Sequence, residues 1–293
     1  MTDAQNPPWA VQLRSAASLP VIIPAAGRGT RLGPIGLATP KELLPVVDRP
    51  AIFHVLAEAA AVSRRARIVT RPLTAPVLAE LTAAFRASGP PADEFEIDWV
   101  IQEQPAGLGH AVSTGWIGDG PQLVLVPDEI LGDEGRLCRQ MVEVHRRTGG
   151  SVLALRRVPT AELQSKGCAT VLAAPDLGAG VVRIEALVEK PVHPPEGALA
   201  IIGRYVLASD VQASLRDLKP GRLGEFQLSE ALNAREADPD GVMYGVIYSG
   251  PWHDLGTVEG YLSTVLNLAS DRLYARLPSA GVSVTYRRPR RGR

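Results

Sequence analysis

The sequence of 293 residues lacks the features that mark several classes of protein. Its two cysteines, Cys138 and Cys168, are too few for a disulfide framework. No apolar run approaches the roughly 18 residues that a membrane-spanning helix needs. The N-terminus has Asp3 and early prolines, without the basic region and apolar core of a secretory signal. These absences predict a soluble cytoplasmic protein.

The sequence also lacks net charge, since 31 Lys and Arg residues balance 31 Asp and Glu residues. No global electrostatic field would recruit nucleic acid or a membrane surface, so any anion-binding site must be local. We therefore expect neither nucleic acid nor membrane as a partner. The oligomeric state stays open, with a homo-oligomer as one option.

What the sequence does contain is a 45% apolar composition, enough to bury one large α/β core or a core with a small lobe. Predicted strands and helices alternate through most of it, with no internal repeat or Ser/Gly linker. The predicted strands include residues 66–70, 95–102, 122–131, 151–158, 182–191 and 198–208, and the predicted helices include residues 51–62, 74–88 and 137–149.

This alternation favours a doubly wound, Rossmann-like α/β fold, with a mixed, mostly parallel sheet and helices on both faces. We predict a single domain over residues 20–270. Residues 1–19 are expected to be a loosely ordered lead-in, and residues 271–293 a basic tail.

The most informative stretch is a glycine-rich turn that follows the buried strand beginning at Val21. Gly27 and Gly29 flank Arg28, and Arg31 follows two residues later. Backbone N–H groups and a guanidinium can converge there on one anion, which favours a loop for nucleotide phosphates. The alternative is an ordinary strand-to-helix turn with a surface arginine.

Two familiar nucleotide motifs do not fit this turn. A dinucleotide fingerprint needs G-x-G-x-x-G opening a helix, but Pro34, Pro40 and Pro45 would break that helix. A P-loop needs Gly-Lys-Ser/Thr, whereas Gly29 is followed by Thr30 and Arg31. A nicotinamide oxidoreductase is therefore a weaker alternative.

The pattern that does fit is G-x-G-T-R-L (27–32), a spacer, and P-K-E-L-L-P-V (40–46). It resembles the sugar-1-phosphate nucleotidyltransferases, especially the bacterial UTP–glucose-1-phosphate uridylyltransferases, over roughly residues 20–270. The resemblance implies an enzyme that joins a nucleoside triphosphate to a sugar 1-phosphate, giving a nucleotide sugar and pyrophosphate. It also implies a loop that wraps the nucleotide phosphates, with Arg31 and Lys41 neutralising them. The implied loop residues are Ala26, Gly27, Gly29 and Thr30.

Other segments extend the resemblance to the rest of the substrates. The resemblance implies nucleotide contacts mainly from the first half of the domain and sugar contacts from its later half. It implies that Gln102 and Gly107 lie against the nucleobase, that Glu189 and Gly203 bind the sugar, and that Lys190 pairs with the 1-phosphate. Adjacent residues of a strand point to opposite faces, so Glu189 and Lys190 can cooperate only if a turn forced by Pro191 brings them together.

Two aspartates are candidate Mg²⁺ ligands. Asp128 follows an apolar run and Pro127, and a carboxylate at the end of a buried strand lies where open α/β sheets bind ligands. A solvated acidic turn is the alternative. Asp254 resembles the family's second metal aspartate, in the form W-x-D-x-G-T. We expect each aspartate to end a central strand, so that the two share one crevice edge.

Two departures from the resembled family leave the nucleobase open. The W-x-D-x-G-T form is commoner among guanylyl-, adenylyl- and thymidylyltransferases, and Leu37 stands where the closest uridylyltransferases usually carry a lysine. UTP with glucose 1-phosphate is the first expectation, and GTP, dTTP or ATP are alternatives.

The expected chemistry needs charge neutralisation more than a base, because a sugar phosphate is already ionised near neutral pH. Arg31, Lys41, Lys190 and Mg²⁺ would supply the counter-charges. A catalytically silent sugar-nucleotide sensor is the alternative class, and it would bind nucleotide without releasing pyrophosphate.

Overall fold

The computed structural model describes residues 18–87, 95–221, 224–234 and 241–276. Its strands are β1 (Val21–Pro24), β2 (Pro45–Val46), β3 (Arg49–Pro50), β4 (Arg65–Thr70), β5 (Glu96–Ile101), β6 (Gln122–Leu125), β7 (Glu129–Leu131), β8 (Ser151–Arg156), β9 (Gly167–Ala173), β10 (Val181–Glu189), β11 (Leu199–Leu207), β12 (Met243–Ile247) and β13 (Trp252–Asp254). Its helices are α1 (Pro34–Ala38), α2 (Ala51–Ala60), α3 (Ala75–Ala87), α4 (Leu108–Gly115), α5 (Arg136–Thr148), α6 (Thr160–Leu163), α7 (Val211–Arg216), α8 (Leu228–Asn233) and α9 (Val258–Arg276).

The first half of the chain builds a parallel sheet in the order β5-β4-β1-β6. Strands β4 and β5 add in turn on one side of β1, and β6 pairs on its other side. This reversal creates a crevice at the carboxyl ends of β1 and β6, where doubly wound sheets bind ligands. The first half therefore has the predicted doubly wound arrangement.

The second half departs from the prediction of a mostly parallel sheet. The sheet continues β11-β8-β12-β10-β9, and β9 also pairs with β11, so these five strands close on themselves. Only β8 and β12 are parallel in this part. Parallel neighbours need a long crossover, usually a helix. Within residues 167–207 the only helical element is a short 3₁₀ turn, and β9, β10 and β11 run antiparallel.

Apolar side chains cover both faces of the sheet, which confirms the prediction of helices on both faces. Helices α2, α3 and α5 pack on one face, around Ile23, Ile68 and Met141. Helices α4, α7 and α8 pack on the other face, around Val112, Val124 and Leu232. Two buried layers therefore hold the ends of β1 and β6 in place between them.

The predicted ends of the chain fall largely outside the described residues, which begin at residue 18 and stop at residue 276. Helix α9 continues through residue 271 to Arg276, so it crosses the predicted start of the basic tail. Within the described ranges, none of the helices combines the length and the apolar character needed to cross a bilayer.

A fully buried arginine joins three parts of the fold beneath the crevice. Arg204 of β11 is 0% exposed, and its Nε and Nη2 atoms donate to the two carboxylate oxygens of Glu58 on α2, at 2.8 and 2.7 Å. Its Nη1 atom donates to the carbonyls of Gly203 and Val126, and Nη2 also donates to the carbonyl of Glu129. Arg204 therefore fixes the backbone between β6 and β7.

We expect Arg204→Met to destabilise the protein by about 3–5 kcal/mol, because it leaves Glu58 buried and uncompensated. Urea unfolding measures this loss. Arg216→Met, an exposed arginine on α7, is the control and should stay within about 0.5 kcal/mol of the wild type. A loss below about 1 kcal/mol for Arg204→Met would contradict the assigned role.

Glu42 is a buried carboxyl group whose ionisation makes the stability of the fold depend on pH. Its side chain is 0% exposed, neither carboxylate oxygen has a hydrogen-bond partner among the described residues, and burial raises its pKa to about 7. The unfolded chain releases this proton near its ordinary pKa of 4.5. Between these values the folded state keeps a proton that the unfolded state has lost, so stability falls as pH rises.

We expect the melting temperature of Glu42→Gln, relative to the wild type, to increase between pH 5 and pH 8, because glutamine cannot ionise. Complete ionisation of Glu42 should lower the free energy of unfolding of the wild type by on the order of 3 kcal/mol relative to the Glu42→Gln variant. Glu196→Gln, at an exposed carboxylate, is the control and should show no such trend. If the difference in melting temperature between Glu42→Gln and the wild type stays constant with pH, the buried carboxyl does not make stability depend on pH.

Candidate functional site

A cavity of about 590 Å³ lies at the crevice between the ends of β1 and β6. The structure brings all thirteen residues singled out from the sequence to the lining of this cavity. They are Ala26, Gly27, Gly29, Thr30, Arg31, Lys41, Gln102, Gly107, Asp128, Glu189, Lys190, Gly203 and Asp254. Their location agrees with the predicted site, and their individual roles stay predictions.

The glycine loop leaves β1 and turns back on itself at Gly29. Gly29 has a φ of 64°, a left-handed conformation that favours glycine, and a short 3₁₀ helix follows it. Gly27 lies beside a lysine, since a Cβ placed on it would be in van der Waals contact with Lys41 Cε at 3.4 Å. Backbone and ammonium group therefore meet at one wall of the cavity.

Lys41 is ion-paired with Asp128, which follows β6. The Lys41 Nζ–Asp128 Oδ2 distance is 2.6 Å, and the two side chains are only 16% and 7% exposed. Burial alone would lower the pKa of Lys41, but the charge and hydrogen bond of Asp128 raise it above its usual value. Burial likewise opposes ionisation of Asp128, whose pKa Lys41 nevertheless holds low. Both groups are therefore charged.

The second oxygen of Asp128 is available to another ligand. Asp128 Oδ1 is buried, and no hydrogen-bond partner reaches it from the part of the chain that the structure describes. A buried, unpaired oxygen of an ionised carboxylate is costly unless a cation or donor satisfies it. Asp128 is therefore suited to hold a metal ion.

Asp254 reaches the cavity by a different route from the one we predicted. It ends β13, which pairs with β7 in a separate two-stranded ribbon, so the expectation that it ends a central strand is wrong. Asp254 lies opposite Glu129 in this ribbon, and the N–H of Leu255 donates to the carbonyl of Asp128 at 2.8 Å. A hairpin-like pairing, rather than the main sheet, brings the two aspartates to one edge.

Arg31 approaches the same ribbon. A Cβ placed on Gly256 would lie 2.7 Å from Arg31 Nη2 and 2.8 Å from Asp254 Oδ1. The N–H of Gly256 donates to Asp254 Oδ1 at 2.8 Å. The guanidinium and the carboxylate therefore border one short stretch of backbone.

Lys166 is a site residue to which the sequence analysis assigned no role. Its Nζ lies 2.6 Å from Asp254 Oδ2 and 4.6 Å from the centre of the Trp252 ring. The signal that could have found it is the lysine count, because the chain has only four lysines. Three of them, Lys41, Lys166 and Lys190, line this cavity.

Glu189 and Lys190 are brought together by a sharp turn, as their predicted cooperation requires. Strand β10 ends at Glu189, and Lys190 has a φ of 42°, so the turn falls one residue before Pro191. The Lys190 Nζ–Glu189 Oε1 distance is 3.4 Å. A left-handed residue other than glycine costs on the order of 1 kcal/mol, and such strain clusters at functional sites.

The wall predicted to meet a nucleobase is held by backbone contacts and one histidine. Gln102 is 2% exposed, and its amide pairs with Nδ1 of His110. His110, in the first turn of α4, therefore orients Gln102. Gly107 has a φ of 104°, and a Cβ on it would lie 2.7 Å from the carbonyl of Phe226. Glycine is required there because another segment crosses against it.

Gly203, also in the cavity lining, makes a similar close approach. A Cβ on it would lie 2.6 Å from Val126 Cβ and 3.1 Å from Glu129 Oε1. This contact explains the glycine through packing of β11 against the segment after β6. The predicted contact with a sugar remains a separate proposal.

Charges on the cavity wall balance within the described residues. Five lining residues are cationic and five are acidic. The cations are Arg28, Arg31, Lys41, Lys166 and Lys190, and the acids are Asp128, Glu129, Glu189, Glu225 and Asp254. Side chains alone therefore give this cavity little net attraction for a polyanion.

Comparison with known proteins gives one consistent family. The chain matches the nucleotidyl transferase family over residues 20–271. It is 33% identical over 277 residues to a UTP–glucose-1-phosphate uridylyltransferase of Pseudomonas aeruginosa, covering 86% of this chain and 96% of that protein. It is 30% identical over 273 residues to the Bacillus subtilis (strain 168) protein of the same name, covering 85% and 90%.

A solved structure of a UDP-glucose pyrophosphorylase complexed with UDP-glucose is similar in fold, with a TM-score of 0.76 and 30% identity. The similarity covers 87% of this chain and all of that one. The likeness therefore includes both the parallel half and the later, largely antiparallel half.

Proposed function

Because the chain belongs to the nucleotidyl transferase family, we propose that it joins UTP to glucose 1-phosphate, giving UDP-glucose and pyrophosphate. The observation that carries the proposal is the Lys41–Asp128 pair, which places a cation and an ionised carboxylate beside the glycine loop. Two relatives named UTP–glucose-1-phosphate uridylyltransferase and a structural neighbour with bound UDP-glucose support the substrates.

The reaction is a displacement at phosphorus. An oxygen of the sugar 1-phosphate forms a bond to the α-phosphorus of UTP, and the bond to the β-phosphate oxygen breaks. Pyrophosphate leaves with that electron pair. The attacking phosphate is already ionised near neutral pH, so the site must mainly align the two substrates and offset their repulsion.

Two sets of cations divide this work in our proposal. Arg31 and Lys41 neutralise the triphosphate, which the loop from Ala26 to Thr30 wraps with backbone N–H groups. Lys190 pairs with the 1-phosphate of the sugar. Unit charges 4 Å apart repel by roughly 1–4 kcal/mol depending on the dielectric, so each counter-charge matters when several phosphates meet.

A divalent cation, which we propose to be Mg²⁺, would complete this neutralisation. Asp128 and Asp254 would hold it, and the unpaired Oδ1 of Asp128 fits that role. No group of three or more His, Cys, Asp or Glu side chains among the described residues could hold a metal alone. This suits Mg²⁺, which commonly takes one or two carboxylates together with substrate phosphates. Bound Mg²⁺ would supply charge neutralisation at the phosphoryl oxygens.

The remaining lining residues would recognise the uncharged parts of the substrates. Gln102, oriented by His110, and Gly107 would lie against the base. Glu189, which accepts a hydrogen bond from Ser229, would bind sugar hydroxyls, and Gly203 would let the sugar approach the backbone.

We also propose that residues 20–270 act as one catalytic domain, with the nucleotide on its first half and the sugar on its later half. A cytoplasmic location is supported by Cys138 and Cys168, which are both buried free thiols.

The direct test is pyrophosphate release with Mg²⁺ from UTP, dTTP, GTP or ATP, each combined with several sugar 1-phosphates. We expect the highest kcat/KM for UTP with glucose 1-phosphate. A higher value for dTTP, GTP or ATP would move the protein to another branch of the family, in line with its W-x-D-x-G-T sequence. Nucleotide binding without pyrophosphate release from any pair would instead indicate a silent sensor.

The two aspartates should act on one metal ion. We expect Asp128→Asn or Asp254→Asn to lower kcat/KM by on the order of 100-fold or more. The double variant should lose much less than the product of the single losses, because both carboxylates serve the same ion. Assays with rising Mg²⁺ at 25 °C measure these effects.

Asp119→Asn, at an exposed loop position, is the matched control and should retain wild-type rates. Asp128→Asn also leaves Lys41 buried without its partner, so circular dichroism must first establish that the variant is folded. Rates within about threefold of wild type in either folded single variant would rule out the shared metal.

A further inference from the structure

Lys166 is held firmly in the cavity wall although the proposed reaction leaves it without a role. Its side chain is 13% exposed, and its ammonium lies against both Asp254 and the Trp252 ring. Trp252 is itself fixed, because its indole N–H donates to Glu129 and the Arg156 guanidinium lies 5.4 Å from its ring centre. A rigid aromatic surface therefore supports the Lys166 ammonium.

The pairing of Lys166 repeats the pairing of Lys41. Each ammonium lies 2.6 Å from one of the two proposed metal ligands, Asp254 and Asp128 respectively. An ammonium and a dication attached to one carboxylate repel each other. Metal binding to Asp254 must therefore displace or weaken the contact with Lys166.

The backbone shows where a displaced Lys166 would act. The N–H of Lys190 donates to the carbonyl of Lys166 at 3.1 Å, so the two lysines lie side by side at the end of β10. Lys190 and Glu189 form the wall proposed to hold the sugar 1-phosphate. A lysine is a flexible cation with three donors, and its charge can turn from Asp254 to a phosphate without movement of the main chain.

We propose that Lys166 is a second cation for the phosphate of the sugar 1-phosphate, and that it pairs with Asp254 until a metal ion takes that carboxylate. This inference rests on the proposed function. Lys166 contributes charge and hydrogen bonds to a phosphate monoester and transfers no proton. Its pairing holds the Asp254 carboxylate in place before the substrates arrive.

The first test measures the metal alone, without substrates. Mn²⁺ binding is titrated by electron paramagnetic resonance in the wild type, in Lys166→Met and in Lys219→Met. Because a competing cation is removed, Lys166→Met should bind Mn²⁺ about fivefold more tightly or better. Lys219 is the fourth lysine and is exposed, so Lys219→Met should match the wild type. Unchanged or weaker binding in Lys166→Met overturns the competition.

The second test measures steady-state kinetics at saturating Mg²⁺. Lys166→Met should raise KM for glucose 1-phosphate about tenfold and leave KM for UTP within twofold, because one phosphate loses a charge-assisted partner. Lys166→Arg should recover part of the loss by keeping the charge. A KM for glucose 1-phosphate within twofold of wild type in Lys166→Met overturns the phosphate contact.

Failure of this inference and failure of the proposed function give different results. A wild-type protein that binds Mn²⁺ but releases no pyrophosphate overturns the proposed reaction, while the Mn²⁺ titration still decides whether Lys166 competes for Asp254. Melting curves of both Lys166 variants show that they are folded before either comparison is made.

Discussion

The arrangement of the cavity depends on the buried charge of Arg204. Arg204 carries a guanidinium with no exposure to solvent, which is tolerable only because Glu58 and three backbone carbonyls accept its hydrogen bonds. These acceptors come from α2, from β11, from the segment after β6 and from the first residue of β7. Satisfying Arg204 therefore fixes the backbone on both sides of Asp128, and the ribbon of β7 and β13 then brings Asp254 alongside.

Ion pairs in the cavity lining offset one another's charge before any substrate binds. Lys41 with Asp128 and Lys166 with Asp254 are short, largely buried ion pairs, and the five lining cations are matched by five acids. A cavity lining with equal numbers of cationic and acidic side chains avoids the cost of an uncompensated buried charge. It also means that phosphates and a divalent cation enter best together, since each offsets the charge that the other brings.

The sequence pointed to residues of the cavity lining because many of them lie in short motifs. Gly29 needs a left-handed backbone conformation, and Asp128 follows an apolar strand and Pro127, so local patterns revealed both. It failed where distant segments decide the structure. Glu58 and Arg204 are 146 residues apart, and Lys166 and Asp254 are 88 apart, so nothing local marks either pair. The alternation of strands and helices ends near residue 160, and extending it predicted a mostly parallel sheet where β9 to β11 pair antiparallel.

The central claim is that the phosphates of the substrates bind in the cavity, against three of the four lysines. Lysine labelled with ¹³C at Cε gives one NMR signal for each side chain, and Lys→Arg variants assign them. Adding Mg²⁺ and UDP-glucose should shift the signals of Lys41, Lys166 and Lys190 and leave that of exposed Lys219 in place. Saturating UDP-glucose, with binding verified by calorimetry, that leaves the three cavity lysines unshifted or shifts only Lys219 would contradict the account.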